Sequence, residues 1–165
     1  MASTYVIKLP RNIAEKLKEA AEKAGVTLEE YILELILHDY DPKERAREYI
    51  VAAENLVEQA YEELDKGDLR QAAEKLWGAT ALAIKAYADW KDGVQLKTHG
   101  ELWRYRRVLE NELGEWVYTT WMIANGMHTC FYEDWCSRED VEKACIEIKK
   151  LVEEIKKRIQ ERPGY

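Results

Sequence analysis

The chain has 165 residues, of which 47% are hydrophobic and 35% charged, and a formal net charge of −7. That length holds one domain of ordinary size, or one domain with a small appendage, and the absence of long polar or low-complexity stretches argues against disorder. An acidic balance disfavours indiscriminate coating of nucleic acid and leaves room only for a local basic patch.

Taken in chain order, Ser3-Thr4-Tyr5-Val6-Ile7-Lys8-Leu9 is rich in β-branched and aromatic residues and stops at Pro10. It predicts one short strand. A lone strand leaves its own backbone unsatisfied, and no second strand candidate follows. The simplest partner is the same strand of another subunit. A helix is predicted from about Arg11 to Ala24, between Pro10 at its start and Gly25 at its end. Ile13, Leu17, Ala20, Ala21 and Ala24 form its apolar stripe. A second helix starts at Thr27, with Glu30 placed to complete a capping box. Its stripe is Leu28, Tyr31, Ile32, Leu35 and Ile36, and Asp41-Pro42 ends it. Charge is uneven here. Met1 to Gly25 carries five Lys/Arg against three Glu, whereas Val26 to Leu64 carries three against eleven Asp/Glu.

From about Pro42 to Lys66 the residues Ala46, Tyr49, Ile50, Ala53, Leu56, Val57, Ala60, Tyr61 and Leu64 recur at spacings of 3 and 4, a long helix. Lys66-Gly67-Asp68 is a tight turn, so the next helix, to about Trp90, must run antiparallel to it. Leu69, Ala72, Ala73, Leu76, Ala79, Ala83, Ala86 and Tyr87 face inward, and the alanines permit close approach. A loop near Asp92 to Thr98 leads to a shorter helix, Gly100 to Glu112, then a longer one from Glu115 to about Trp135. Ser137 caps a last helix to about Gln160, with Val141, Ala144, Cys145, Ile148, Leu151, Val152, Ile155 and Ile159 as its stripe.

Cys130, Cys136 and Cys145 are an odd set, and the first apolar run is too short for a signal peptide. No stretch reaches the roughly 20 apolar residues that cross a bilayer. Free thiols in a reducing cytoplasm are therefore expected. Abundant Glu, Lys and Arg with scarce Asn and Gln fit a thermophile. His128, Cys130 and Cys136 lack the spacing of a zinc module, and no metal or other cofactor is expected.

The strand ending in Leu9-Pro10, a helix, the Gly25 turn and the Thr27-capped helix together resemble the ribbon-helix-helix fold over about Thr4 to Leu37. The resemblance implies a two-stranded ribbon that enters a DNA groove. Tyr5, Ile7 and Leu9 would then face the helices, while Thr4, Val6 and Lys8 face outward. Thr4 and Lys8 can hydrogen-bond a base edge, and Val6 cannot. Glu29 and Glu30 oppose a phosphate at the start of the second helix. The unit reads either as a DNA reader or as a dimer clasp alone.

From Asp41 onward, Ala46 with Tyr49, Lys66-Gly67-Asp68, Ala73-Glu74-Lys75-Leu76-Trp77-Gly78-Ala79, Thr98-His99 with Leu102, Trp121 to His128 and Phe131-Tyr132-Glu133 resemble an archaeal PaREP-type family. That family is placed in the HEPN superfamily of helical bundles. The resemblance implies an up-and-down bundle that commonly dimerises and that cuts RNA, binds nucleotides or partners nucleotidyltransferases. The superfamily's cutting motif sets an Arg four to six residues before a His. Those positions before His128 are Met122, Ile123 and Ala124, so the motif is missing.

Other chemistry is open to His128, Tyr132 and Glu133. The first two are four apart on one helical face, and an imidazole near a carboxylate can act as a general base. The alternative is a half-buried bundle histidine bonded to a neighbour. Arg104, Arg106 and Arg107, with Lys97, His99, Trp103 and Tyr105, make the one concentrated basic and aromatic segment. Such a segment suits phosphate and stacked bases, unless Glu101, Glu110 and Glu112 neutralise it. Six tryptophans exceed what one narrow core holds, so some line a cleft or an interface.

The expected fold is all-α, an antiparallel up-and-down helical bundle over residues 41–162 preceded by a strand-helix-helix unit over 1–40. The expected assembly is a homodimer or a larger even oligomer, with no membrane association. The expected role is a binding module for a partner protein such as a nucleotidyltransferase, a nucleotide or RNA. The alternatives are a DNA-binding regulator, or a metal-independent ribonuclease using His128.

Overall fold

The computed structural model describes residues 5–161. Seven helices follow in order: α1 (Arg11–Ala24), α2 (Leu28–Leu37), α3 (Pro42–Lys66), α4 (Leu69–Asp92), α5 (His99–Leu113), α6 (Trp116–Glu133) and α7 (Arg138–Glu161). None is long and apolar enough to cross a membrane.

The N-terminal strand is a point of difference. Tyr5 to Pro10 forms no strand, and Ser3 and Thr4 lie outside the described residues. A ladder needs a second strand, and the described residues supply none. Tyr5 and Ile7, expected to face the helices, are instead 88% and 79% exposed.

The two first helices form as their caps dictate. The Gly25 turn closes α1 with φ +70°, and Thr27 opens α2 with both halves of the capping box, Glu30 N–H to Thr27 Oγ1 at 3.2 Å and Thr27 N–H to Glu30 Oε2 at 3.0 Å. Leu35 and Ile36, expected to be inward, are 56% and 60% exposed. Helix α1 packs on α2, and α2 reaches the bundle through α4.

The bundle is organised around α4. The turn at Gly67 has φ +82°, a left-handed value that glycine adopts without strain, and its end carbonyls are capped by Gly67 and Asp68 N–H. Helices α3 and α4 therefore run antiparallel. From Ala72 to Asp89 every residue of α4 except Glu74 and Lys75 is buried. It is packed on by α2, α3, α5, α6 and α7. Its alanines are the reason so many neighbours fit. At Gly78 a Cβ would stand 3.1 Å from Leu56 Cδ1, tighter than ordinary contact, so the Leu56 side chain would have to shift.

Burying a helix on all sides forces its polar residues to find partners inside. Arg45 of α3 donates to Asp89 through Nε at 2.9 Å and Nη2 at 2.6 Å. Lys85 donates to Glu34 of α2 at 2.6 Å and stands 3.8 Å from Glu30. Burial pushes the Glu30 carboxyl above the ordinary carboxylate range, against the pull of Lys85 and the Thr27 N–H. Lys75 and Glu29 add a pair at 2.5 Å. These α4 lysines fasten α2 to the bundle.

Helix α6 ends at Glu133, two residues before the expected position. Asp134 takes a left-handed φ of +53° and donates its N–H to the Cys130 carbonyl at 2.8 Å. The same corner overturns the expectation of three free thiols. Cys130 and Cys136 are joined in a disulfide, with Cα atoms 5.6 Å apart. The helix stop brings the two together, a geometry that the six-residue separation does not reveal. Cys145 is free and buried, and burial pushes its thiol up to about 11.

Candidate functional site

On α6, Trp121, Asn125, His128 and Tyr132 recur at steps of four, three and four, so they share one face. Trp121 is fully buried, His128 half-buried and Tyr132 exposed. Helix α5 faces them with His99 and Trp103, four apart. Thr98 caps α5 and accepts from Glu101 N–H at 3.2 Å, which sets His99 on the first turn. Helix α4 contributes Trp77, nearly fully buried.

Trp77 is the hub. Its ring lies 4.8 Å from His128, 5.3 Å from His99 and 5.5 Å from Trp121, centroid to centroid. Trp103 meets Trp121 edge to face at 5.2 Å, and Tyr132 meets His128 the same way at 5.2 Å. The imidazoles of His99 and His128 are stacked with centroids 6.4 Å apart. Trp103 Nε1–H donates to His99 Nε2 at 2.7 Å, which leaves the proton of neutral His99 on Nδ1. Trp121 Nε1–H is buried and has no partner among the described residues. Buried donors are nearly always satisfied, and the Trp90 Nε1–H shares this condition among the described residues.

Burial lowers the pKa of His99, and burial followed by the proximity of His99 lowers that of His128. Both rings are neutral near pH 7. The folded chain refuses protons that the unfolded chain accepts below the ordinary imidazole value of 6.5. The stability they support is complete above that pH and falls as the pH drops through it. In urea melts from pH 7.5 downward, a His99→Gln, His128→Gln chain should show a shallower decline than wild type. Parallel declines would refute this assignment.

The structure brings His128 and Tyr132 together, and leaves Glu133 exposed with no bond to His128 among the described residues. It separates the three arginines. Arg106 falls on the buried stripe of Leu102 and Leu109 and is only 9% exposed. It pairs with Glu110 at 2.5 Å, and its guanidinium lies 5.4 Å from the Trp103 ring and 5.0 Å from that of Tyr118. Arg104 and Arg107 are exposed, and no ion pair holds either among the described residues. Glu101 forms no ion pair with them: it accepts from the backbone N–H of Lys97 and Thr98, which, with the nearby charge of Arg104, hold its carboxyl below the usual range. Glu112 is taken by Tyr87 and Lys91. Lys8 is exposed, and Thr4 lies outside the described residues. Among the described residues no group of three or more His, Cys, Asp or Glu is placed to hold a metal ion.

Sequence reasoning singled out His128 and named His99 only within the basic and aromatic segment; it did not pair the two histidines, and it gave Trp77 no part in a site. Thr98-x-x-Glu101 with Trp103 four residues after His99 was the available signal.

The model of the archaeal PaREP1/PaREP8 family matches residues 48–152. The chain belongs to this family. The PaREP1/PaREP8 match takes in Trp77, His99, Trp103, Trp121, His128 and Tyr132, and begins after α1 and α2. Comparisons with curated proteins and with solved structures found no match.

Proposed function

We propose that this protein is a homodimeric, HEPN-like binding module that receives a nucleotide or an unpaired RNA base against the rings of His99, Trp103, His128 and Tyr132. The observation that carries this reading is the convergence of two neutral imidazoles and three tryptophans from α4, α5 and α6 around one unsatisfied indole N–H. Aromatic rings stack on any base, and each stacked base contributes about 1–3 kcal/mol. Arg104 and Arg107 supply exposed cationic forks for phosphate.

Ribonuclease action is the second reading, favoured by the pairing of His99 with His128. General acid–base cleavage needs one proton donor and one acceptor. Here both rings are neutral, so neither is charged to give a proton, and the acceptor nitrogen of His99 is already taken by Trp103 Nε1–H. Binding is therefore the better fit.

Tryptophan fluorescence tests it. Adenosine monophosphate and a short single-stranded RNA should quench the wild type saturably. Trp103→Ala should weaken both at least tenfold, the equivalent of about 1.4 kcal/mol. Arg104→Glu with Arg107→Glu should weaken the RNA more than the mononucleotide. Absence of quenching by either ligand would refute the reading. RNA cleavage in a chelating buffer, lost in His128→Ala, would establish the second.

A further inference from the structure

The segment before α1 forms neither helix nor strand and carries Tyr5, Val6, Ile7 and Leu9, all exposed. Exposed apolar residues in a row, on a backbone with no pairing partner, are a surface made for another surface. The same chain carries a matching vacancy. Between α2, α3 and α4 runs a groove of about 250 Å³, floored by Ile32, Leu33, Ala52, Leu56 and Leu82. Leu35 and Ile36 on α2 and Val51 on α3 lie exposed nearby in the sequence of those helices.

We infer that the Tyr5–Leu9 arm of one copy lies in the α2–α3 groove of a second copy, each chain giving its arm to the other. This rests on the homodimer proposed above and names its contact. Three features single out a second copy as the occupant. The lengths agree: the groove runs from Ala52 to Gln59, about 10 Å of helix, and the arm spans about 13 Å as extended chain. The charges agree: the arm and α1 are net basic, whereas α2 and α3 are net acidic. The polar groups agree: Asn55 and Gln59 line the same groove, and an amide side chain offers both a donor and an acceptor to an unpaired backbone. An exchange of this kind is isologous and closes at two subunits.

The test uses the full-length chain. Light scattering should give a dimer for wild type, and Ile7→Asp should weaken association at least tenfold. Ile7 touches little in its own chain, so the circular dichroism of that variant should match wild type. Under mild oxidation, Ile7→Cys protein mixed with Ala52→Cys protein should form a covalent dimer that neither forms alone. Covalent dimers of Ile7→Cys by itself would mean that the arms pair with each other, and would overturn the inference. A dimer indifferent to Ile7→Asp, with no mixed cross-link, would overturn it and leave the homodimer standing. A monomeric wild type would overturn both.

Discussion

Asp89→Ala is expected to lower the stability of the folded chain by about 3–5 kcal/mol, the effect of removing one partner from a buried ion pair. Both side chains are almost wholly enclosed, 6% exposed for Arg45 and fully buried for Asp89. Burial pushes the Asp89 carboxyl above its ordinary range, against the bonds from Arg45 that hold it down. The pair is thus held by geometry, with two donors of one guanidinium on two oxygens of one carboxylate. The Arg45 Nη1 also donates to the Tyr40 carbonyl at 3.1 Å and reaches that of His38 at 3.4 Å, so it ties the α2–α3 connection to α4. Without Asp89 the guanidinium stays in a site from which water is excluded. Denaturant melts of Asp89→Ala, and of Arg45→Met with Asp89→Leu, check the cause. The double variant should recover most of the loss, since apolar groups of similar volume need no partner. If the double variant is as unstable as the single one, the loss comes from packing and not from a stranded charge.

The second large effect is expected at Trp121. Removing a fully buried tryptophan in favour of alanine costs about 3–5 kcal/mol through lost burial and an unfilled cavity. For a chain of this length that corresponds to a drop in Tm of roughly 10 °C. Trp121 stands between Trp77 and Trp103, so its loss also lets the cluster collapse and should abolish ligand quenching. Trp121→Phe separates the two consequences. It keeps most of the packing but lacks the N–H. A variant that melts within a few degrees of wild type yet binds more weakly would place the unsatisfied donor in ligand contact. Undiminished binding by Trp121→Phe would remove that donor from the site.

The helices were legible because their signals are local. Thr27 and Glu30, Lys66-Gly67-Asp68 and the unbroken 3-and-4 spacing of α3 depend on nothing outside a few residues. What the sequence withheld depends on neighbours distant along the chain. An apolar stripe predicts a buried face only when something packs there, and the described residues leave Leu35 and Ile36 exposed. Three arginines within four residues resemble one basic patch, yet 100° of rotation per residue turns Arg106 toward the core and leaves Arg104 and Arg107 outside. The Cys130–Cys136 bond rests on a left-handed Asp134, a conformation no composition announces. The His99–His128 stack joins residues from helices whose registers are set only when both pack on Trp77.

A helix wrapped by five others has no outside. In α4, then, no residue between Leu76 and Asp89 can change without asking a neighbouring helix to move. Novelty has to be written on the rim, where α5 and the end of α6 turn side chains toward solvent. A molecule so constructed can alter what it grips while keeping its axle, and the rings of His99, Trp103 and Tyr132 stand where such rewriting is cheapest.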